Sequence, residues 1–381
     1  GTNGKGSTVA VLEAIIAQAG LVSGSFTSPH LLRFNERIRV GGAEAGDDEI
    51  VAAFEAVDGA RGGTGLTYFE FATLAALLVF RARNPDIVVL EVGLGGRLDA
   101  VNIVDPTVAV ITSIDLDHQQ WLGESRGAIA REKAGIVRRG RPLVIGDPRP
   151  PPELLTVVAE AGAGPVYRLG RDYTFTGDTT GWQGVLTQPG GSQRFLPGQP
   201  AGPLLPVNIC CALQAALAAG LEFSDEQLGL ALAAARPRGR CETYCVAGKH
   251  YLLDVAHNPA AVDNLVEIIA ATDCKGETFA LFSAMADKDI GSMLEISSAS
   301  FAGWFLADQP ANPRAARAAD VAALLRARGQ DRVSVSKDLR QALQRAQRVM
   351  NEGDRLVVFG SFYTVGEAAR LFEKDSSVGE A

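Results

Sequence analysis

Apolar positions along this chain keep two rhythms that alternate along its length. Residues 7–20, 47–60 and 68–83 repeat apolar side chains at three and four residues, the period of a helix. Between them lie short aliphatic runs: Val22-Ser23-Gly24-Ser25-Phe26-Thr27, Ile87-Val88-Val89-Leu90 and Val108-Ala109-Val110-Ile111-Thr112. Four consecutive aliphatics at 87–90 predict a strand covered on both faces and hence a parallel sheet. The helix over 68–83 is apolar nearly all round and is expected to be buried. Further helices are predicted over 125–136, over 206–219 opening near Asn208, and over 224–235 with Ser224 as its cap. Residues 164–198 differ: short runs broken by Gly-Asp and Gly-Gly predict a small antiparallel insertion.

Pro237-Arg238-Gly239-Arg240 interrupts the pattern, and a domain boundary is placed there, giving domains 1–237 and 238–381. Beyond it strand and helix alternate again. Strands are expected at 251–254, 278–282, 301–306, 332–335 and 355–360, with helices from Pro259 and over 289–297, 313–328 and 337–352. The expected fold class is therefore α/β. A doubly wound, mostly parallel sheet with the small antiparallel insertion is followed by a second Rossmann-like α/β domain.

A length of 381 residues suits two domains better than one core. The composition, 47% hydrophobic and 21% charged with a net charge of −8, carries no basic stripe for nucleic acid. The longest apolar run, 71–80, is too short to span a membrane. Five cysteines without paired CxxC spacing suit a reducing cytoplasm, and a monomer is expected.

Chemistry concentrates at the ends of the predicted strands, where α/β sheets bind ligands. The first seven residues, Gly1-Thr2-Asn3-Gly4-Lys5-Gly6-Ser7, precede a helix. Glycines there let backbone N–H groups converge on an anion, Lys5 adds a mobile charge, and Ser7 offers a hydroxyl to Mg²⁺. This is a P-loop, or phosphate loop, although Gly6 between Lys5 and Ser7 departs from the common spacing. Such a loop normally follows a buried strand, so the chain is expected to lack its first strand. Ser28 and His30 end the next strand, followed by Arg33, Asn35, Glu36 and Arg37. Glu91, one residue past an aliphatic run and before three glycines, is read as serving a metal or nucleotide, with a simple ion pair as the alternative. Asp115, Asp117 and His118 reach the same edge, and Lys133 follows on a helix. In the second domain, Asp254 to Asn258, Asp287 to Asp289, and Ser361 collect likewise, and the two polar edges are expected to face each other.

These stretches together resemble the folylpolyglutamate synthase/dihydrofolate synthase family, a branch of the muramyl-ligase-like amide ligases. The resemblance runs from Gly1-Thr2-Asn3-Gly4-Lys5-Gly6-Ser7 through Thr27-Ser28-Pro29-His30, Glu91-Val92-Gly93-Leu94-Gly95-Gly96, Leu116-Asp117-His118 and Lys133-Ala134-Gly135-Ile136 to Asp254-Val255-Ala256-His257-Asn258-Pro259. It implies an ATP-dependent ligation of L-glutamate to dihydropteroate or a folate through an acyl phosphate. It also implies two Mg²⁺ ions served by Ser7, Ser28, Glu91 and His118, and a carbamylated Lys133. ATP would contact Asn3, Gly4, Lys5, Gly6, Ser7, Asn208, Arg240 and Asp254. Thr67, Leu98, Asp99 and Ala100 would hold the pterin substrate, and His257 and Ser361 would lie near the incoming glutamate. Lys5, Lys133, His118 and His257 are thus the candidate catalytic residues. Departures are Val255, where the family usually has glycine, and Cys241, where it often has an aromatic or leucine.

Two rival functions remain at this stage. A muramyl-type amino-acid ligase would share both domains, whereas a P-loop regulatory ATPase would leave the polar edge of the second domain unexplained.

Overall fold

A computed structural model describes residues 1–178, 180–200 and 202–376. By its internal contacts the chain divides into two compact units, Gly1–Pro237 and Arg238–Ala381.

In the first unit the chain runs through α1 (Lys5–Gln18), β1 (Ser23–Phe26), β2 (Ile38–Val40), β3 (Ala43–Glu44), α2 (Asp47–Arg61), α3 (Tyr68–Arg83) and β4 (Ile87–Leu90). It continues as β5 (Ala109–Ile111), α4 (Gln119–Leu122), α5 (Arg126–Ala134), β6 (Leu143–Ile145), α6 (Pro152–Glu160) and β7 (Val166–Arg168). The last part holds β8 (Thr174–Asp178), β9 (Gly181–Thr187), β10 (Gln193–Pro200), α7 (Pro206–Ala218) and α8 (Asp225–Ala234). Parallel pairing appears where the aliphatic runs predict it, between β1 and β4 and along β5, β6 and β7. These strands form two sheets, ordered β3-β2-β1-β4 and β5-β6-β7.

The edges of β4 and β5 flank a cavity of about 600 Å³, roofed by Leu12 and Ile16 of α1 and lined by Val88, Leu90, Val108 and Val110. This corrects the expectation that β4 is covered on both faces. Paired on one side only, it leaves Val88 43% exposed and buries none of its four residues fully. Thr8 Oγ, whose residue lines the same cavity, is buried there without a hydrogen-bond partner.

Helix α3 is buried along Ala72, Ala75, Ala76, Val79 and Phe80, and it packs on α2 and β1 through Phe26, Ile50 and Ala53. Residues 174–200 form the expected antiparallel sheet, ordered β10-β9-β8. Val166–Arg168, which the sequence groups with it, pairs instead with β6. Helix α7 is the packing centre of this part: Ile209, Cys210, Leu213 and Leu217 meet Val11 and Ile15 of α1 and Leu186 and Leu196 of the insertion.

The second unit comprises β11 (Glu242–Val246), β12 (Lys249–Leu253), α9 (Pro259–Ala271), β13 (Thr278–Phe282), α10 (Ile290–Ser297), β14 (Gly303–Ala307), α11 (Ala318–Arg326), β15 (Val333–Ser336), α12 (Leu339–Val349), β16 (Arg355–Phe359) and α13 (Phe362–Ser376). Its sheet is continuous, ordered β11-β12-β16-β13-β14-β15, parallel except for the antiparallel edge strand β11. Strands β14 and β16 are buried at every residue, in keeping with their largely apolar sequences, Gly303-Trp304-Phe305-Leu306-Ala307 and Arg355-Leu356-Val357-Val358-Phe359. The helix expected over 313–328 starts only at Ala318. The preceding residues run as a loop tied to 284–286, with Ala286 N–H donating to Arg314 O (2.8 Å) and Ala316 N–H to Ala284 O (2.9 Å). No described helix is long and apolar enough to cross a membrane.

Candidate active site

The phosphate loop is strapped to the C-terminal end of β5. Thr112 Oγ donates to Asn3 O (2.6 Å), Asn3 N–H donates to Ser113 Oγ (3.1 Å), and Asp115 N–H donates to Thr2 Oγ (2.9 Å). Gly4 then turns the chain in the left-handed conformation (φ 85°), which glycine adopts without Cβ strain. Helix α1 consequently begins at Lys5, two residues earlier than the sequence suggests, with Thr8 N–H closing the first turn on Gly4 O (2.9 Å). Lys5, Gly6 and Ser7 therefore occupy the positive N-terminal turn itself. Lys5 Nζ folds back to donate to Gly1 O (3.1 Å) and Thr2 O (3.3 Å), and a Cβ added to Gly6 would meet only open space. Asn208, in the first turn of α7, reaches the loop: a Cβ on Gly4 would lie 2.2 Å from its Oδ1.

Around this loop the other strand ends bring their charges. Glu91, one residue past β4, is buried to 7% and accepts from the backbone N–H of Ser28 (3.1 Å), which lies beyond β1. His118 sits in the left-handed conformation (φ 52°) as the residue before α4, its N–H donating to Asp117 Oδ1 (2.8 Å) and its Nε2 3.8 Å from Asp117 Oδ2. Lys133 projects from α5 and is buried to 5%. Desolvation, reinforced by Lys5, lowers its pKa from 10.5 to about 7 against the opposing pull of Asp117. Lys5, Lys133, Asp117, Glu91 and Asp99 thus share one electrostatic neighbourhood.

The sequence-predicted pterin residues lie beside it with backbone work of their own. Asp99 accepts from Leu94 N–H (2.9 Å) and Val101 N–H (3.1 Å), closing the glycine loop and capping the turn Ala100–Ile103. Burial pushes its carboxyl up, opposed by those N–H groups and Lys5. Thr67 caps α3: its Oγ accepts from Glu70 N–H (3.3 Å), and Glu70 in turn accepts from Thr67 N–H (2.7 Å). This capping box was legible as T-x-x-E before an apolar run. Leu98 is 80% exposed.

In the second unit Asp254 follows β12 and accepts from Cys241 N–H (2.9 Å) and Ala256 N–H (2.8 Å). The Arg240 guanidinium lies 5.4 Å from the centre of the Phe362 ring, and the His257 ring lies 6.0 Å from the same phenylalanine. His257 Nδ1 is 2.8 Å from Val255 O, and Asn258 caps α9 by accepting from Ala261 N–H (2.9 Å). Ser361, buried to 4%, has its hydroxyl engaged by Thr364 Oγ (2.7 Å) and Thr364 N–H (3.1 Å).

The polar cluster after β1 has a supporting role that its sequence leaves open, and Asp147 and Arg126 escaped the sequence altogether. Glu36 accepts three backbone N–H groups, from Leu31, Leu32 and Arg33 (2.7, 2.6 and 2.7 Å). Arg37 is buried under the rings of Phe34 and Tyr68 while donating to His30 Nδ1 (2.8 Å). Asp147 accepts from Ile114 N–H (2.8 Å) and pairs with Arg126 (2.9 Å), bracing the loop that leads to His118.

The Mur ligase middle domain family matches residues 1–147, and the Mur ligase glutamate ligase domain family matches residues 239–362. The dihydrofolate synthase/folylpolyglutamate synthase of Escherichia coli (strain K12) is 38% identical over 382 residues, covering 100% of this chain and 87% of that protein. The chain belongs to the dihydrofolate synthase/folylpolyglutamate synthase family. Among solved structures of this family, E. coli FolC in complex with DHPP and ADP superposes with a TM-score of 0.91 at 37% identity, covering 99% of this chain and 88% of that one. A bifunctional folylpolyglutamate synthase/dihydrofolate synthase with Mn, AMPPNP and L-glutamate bound gives 0.87 at 39% identity, covering 98% and 88%. Membership in the dihydrofolate synthase/folylpolyglutamate synthase family favours the first of the three functions left open above.

Proposed function

We propose that this chain is an ATP-dependent ligase that joins L-glutamate to the carboxylate of dihydropteroate, of a folate, or of both. The observation that carries this is the gathering of a phosphate loop, a buried carboxylate and a buried lysine at one strand edge, in a chain of this family. A carboxylate does not acylate an amine in neutral water. Activation transfers the terminal phosphoryl group of ATP to the acceptor carboxylate oxygen, breaking the bond to ADP and forming an acyl phosphate. The glutamate amine then attacks that carbonyl, expels phosphate and loses a proton.

The N–H groups at the start of α1 and the Lys5 ammonium, which folds back over the loop at Gly1, are proposed to meet charge that develops on the transferring phosphoryl group. Asn208, which lies beside Gly4, is assigned to the nucleotide, as are Arg240 and Asp254. Ser7, Ser28, Glu91 and His118 are the proposed metal ligands, with Mg²⁺ in two sites. Among the described residues no three of His, Cys, Asp and Glu gather as a metal cluster. The donor set of one carboxylate, hydroxyls and an imidazole fits a hard cation that keeps water and phosphate oxygens around it. When bound, the metal neutralises phosphate charge during transfer.

Lys133 is proposed to be carbamylated. Its amine, held near pKa 7, is substantially neutral at physiological pH and can add to CO₂, forming an N–C bond and releasing a proton. The carbamate would supply a negative charge where Glu91 is the single anionic ligand proposed, whereas an ammonium would repel the metals. Thr67, Leu98, Asp99 and Ala100 are assigned to the pterin, and His257 and Ser361 to glutamate. The test is ADP release by the purified chain with ATP, L-glutamate and dihydropteroate or tetrahydrofolate. Release requiring both glutamate and a pteroyl acid supports the proposal, and ATP turnover indifferent to both refutes it.

A further inference from the structure

The second unit opens with a tight turn, 238–242, that leads into β11 and closes on itself. Arg238 Nε lies 3.2 Å from Glu242 Oε1, and Gly239 N–H donates to Glu242 Oε2 (2.8 Å). Gly239 O accepts from Val255 N–H (2.9 Å), which ties the turn to the loop after β12. Within the turn Cys241 stands in the left-handed conformation (φ 47°), which residues with a Cβ seldom adopt. That conformation goes with a second tie to the same loop. Cys241 N–H donates to Asp254 Oδ2 (2.9 Å), and the thiol donates to the same oxygen, with Sγ 3.4 Å away.

Burial, and after it the neighbouring Asp254 carboxylate, push the Cys241 thiol well above its ordinary pKa, so it keeps the proton that it donates. Asp254 Oδ1 accepts from Ala256 N–H (2.8 Å). A carboxylate has about four acceptor sites. With two donors on Oδ2 and one on Oδ1, the site left among the described residues is on Oδ1. The left-handed kink also sets the direction of Arg240, the residue before it, whose guanidinium lies 5.4 Å from the centre of the Phe362 ring. The two residues assigned to ATP in this unit are thus braced at one buried cysteine, at a position where the chain departs from the family it resembles.

We propose that Cys241 is a positioning residue for the nucleotide: its thiol and N–H hold the Asp254 carboxylate in the orientation that leaves Oδ1 for ATP, while its left-handed turn sets Arg240. The inference rests on the assignment of Arg240 and Asp254 to ATP and adds the residue that orients them. Cys241 acts through Asp254, and its thiol takes no part in phosphoryl transfer.

The test compares wild type, Cys241→Ala and Cys241→Ser in ADP binding by calorimetry and in steady-state ligation. Cys241→Ala removes one donor to the carboxylate and raises the ADP Kd and the ATP KM about fivefold. Its kcat and its KM values for L-glutamate and the pteroyl acceptor stay within about twofold, as expected when only nucleotide binding is weakened. Cys241→Ser keeps a donor and stays within about twofold of wild type throughout. A cysteine that only packed would lower Tm and leave the ADP Kd where it was. An unchanged ADP Kd in Cys241→Ala overturns the positioning role, and so does an equal loss in Cys241→Ser, which would make side-chain size and not donation the cause. Where Cys241→Ala does not fold, Cys241→Gly, suited to the left-handed backbone, carries the same expectation. Asp254→Asn separates this role from the assignment beneath it. ADP binding weakened by Asp254→Asn but not by Cys241→Ala overturns the role of Cys241 alone. ADP binding indifferent to Asp254→Asn overturns the assignment of Asp254 to the nucleotide, and the role of Cys241 with it.

Discussion

The two units gather similar polar residues at their strand ends and hold them differently. In the first, the charged groups lie under a loop strapped to β5 by Thr112, Ser113 and Asp115, and burial has moved the protonation of Lys133 far from its ordinary value. The fold around them is loosely closed, with two short sheets and an apolar cavity between β4 and β5. In the second unit the sheet is continuous, and the polar side chains double as its fastenings: Asn258 and Ser361 cap helices, and Asp254 holds the turn at Cys241 and Ala256. Groups arranged for charge development stand in strained electrostatics that other packing must offset. Activity and stability should therefore separate under mutation in the first unit and fall together in the second.

The largest separation is expected at Lys5. Lys5→Ala should lower kcat by about 10²–10³ with little change in Tm, because one preorganised charge is removed while Thr112, Ser113 and Thr2 still strap the loop to the end of β5. Unchanged turnover in this variant would remove the loop from the chemistry. Lys133→Ala should lose most activity and regain part of it with acetate or formate, which would replace the missing carboxylate. Its burial also sets a pH dependence. Below about 7 the wild-type amine is protonated and inert to CO₂, so bicarbonate-dependent activation should rise as pH increases through that value. An activation that is flat between pH 6 and 8 would argue for an unmodified ammonium. The smallest effect, and the one that distinguishes the second unit, is Ser361→Ala. Removing this cap should destabilise the protein by about 1 kcal/mol, read as a fall in Tm that accompanies any loss of activity. A variant of full stability with a raised KM for glutamate would instead make Ser361 a ligand contact alone.

Much of this contrast can be traced to what the chain makes legible. The aliphatic run at 87–90 announces a parallel strand and the apolar segment at 355–360 a strand, and both are found, each in parallel pairing. That β16 is wholly buried while Val88 is 43% exposed depends on which edges find partners, and no local pattern carries that. Strand β11 went unseen because its five residues alternate between half-buried and exposed, as suits an edge. Ser224 announces its helix through S-x-x-Q, and Thr67 carries the equivalent T-x-x-E signal before α3. Among site residues, Glu91 stands out in sequence as a charge ending an apolar run, whereas Lys133 follows Arg131 and Glu132 and is marked only by the family resemblance; the structure buries both. The contact of Asn208 with Gly4 spans about two hundred residues and belongs to the tertiary fold alone.

The central claim is that the acceptor carboxylate is activated by phosphoryl transfer before glutamate attacks, and oxygen tracing tests it most directly. With ¹⁸O in the carboxylate of dihydropteroate and ATP and L-glutamate in excess, one label per turnover should appear in the released phosphate, leaving the other in the amide. Phosphate free of label, with product formed, would contradict the account.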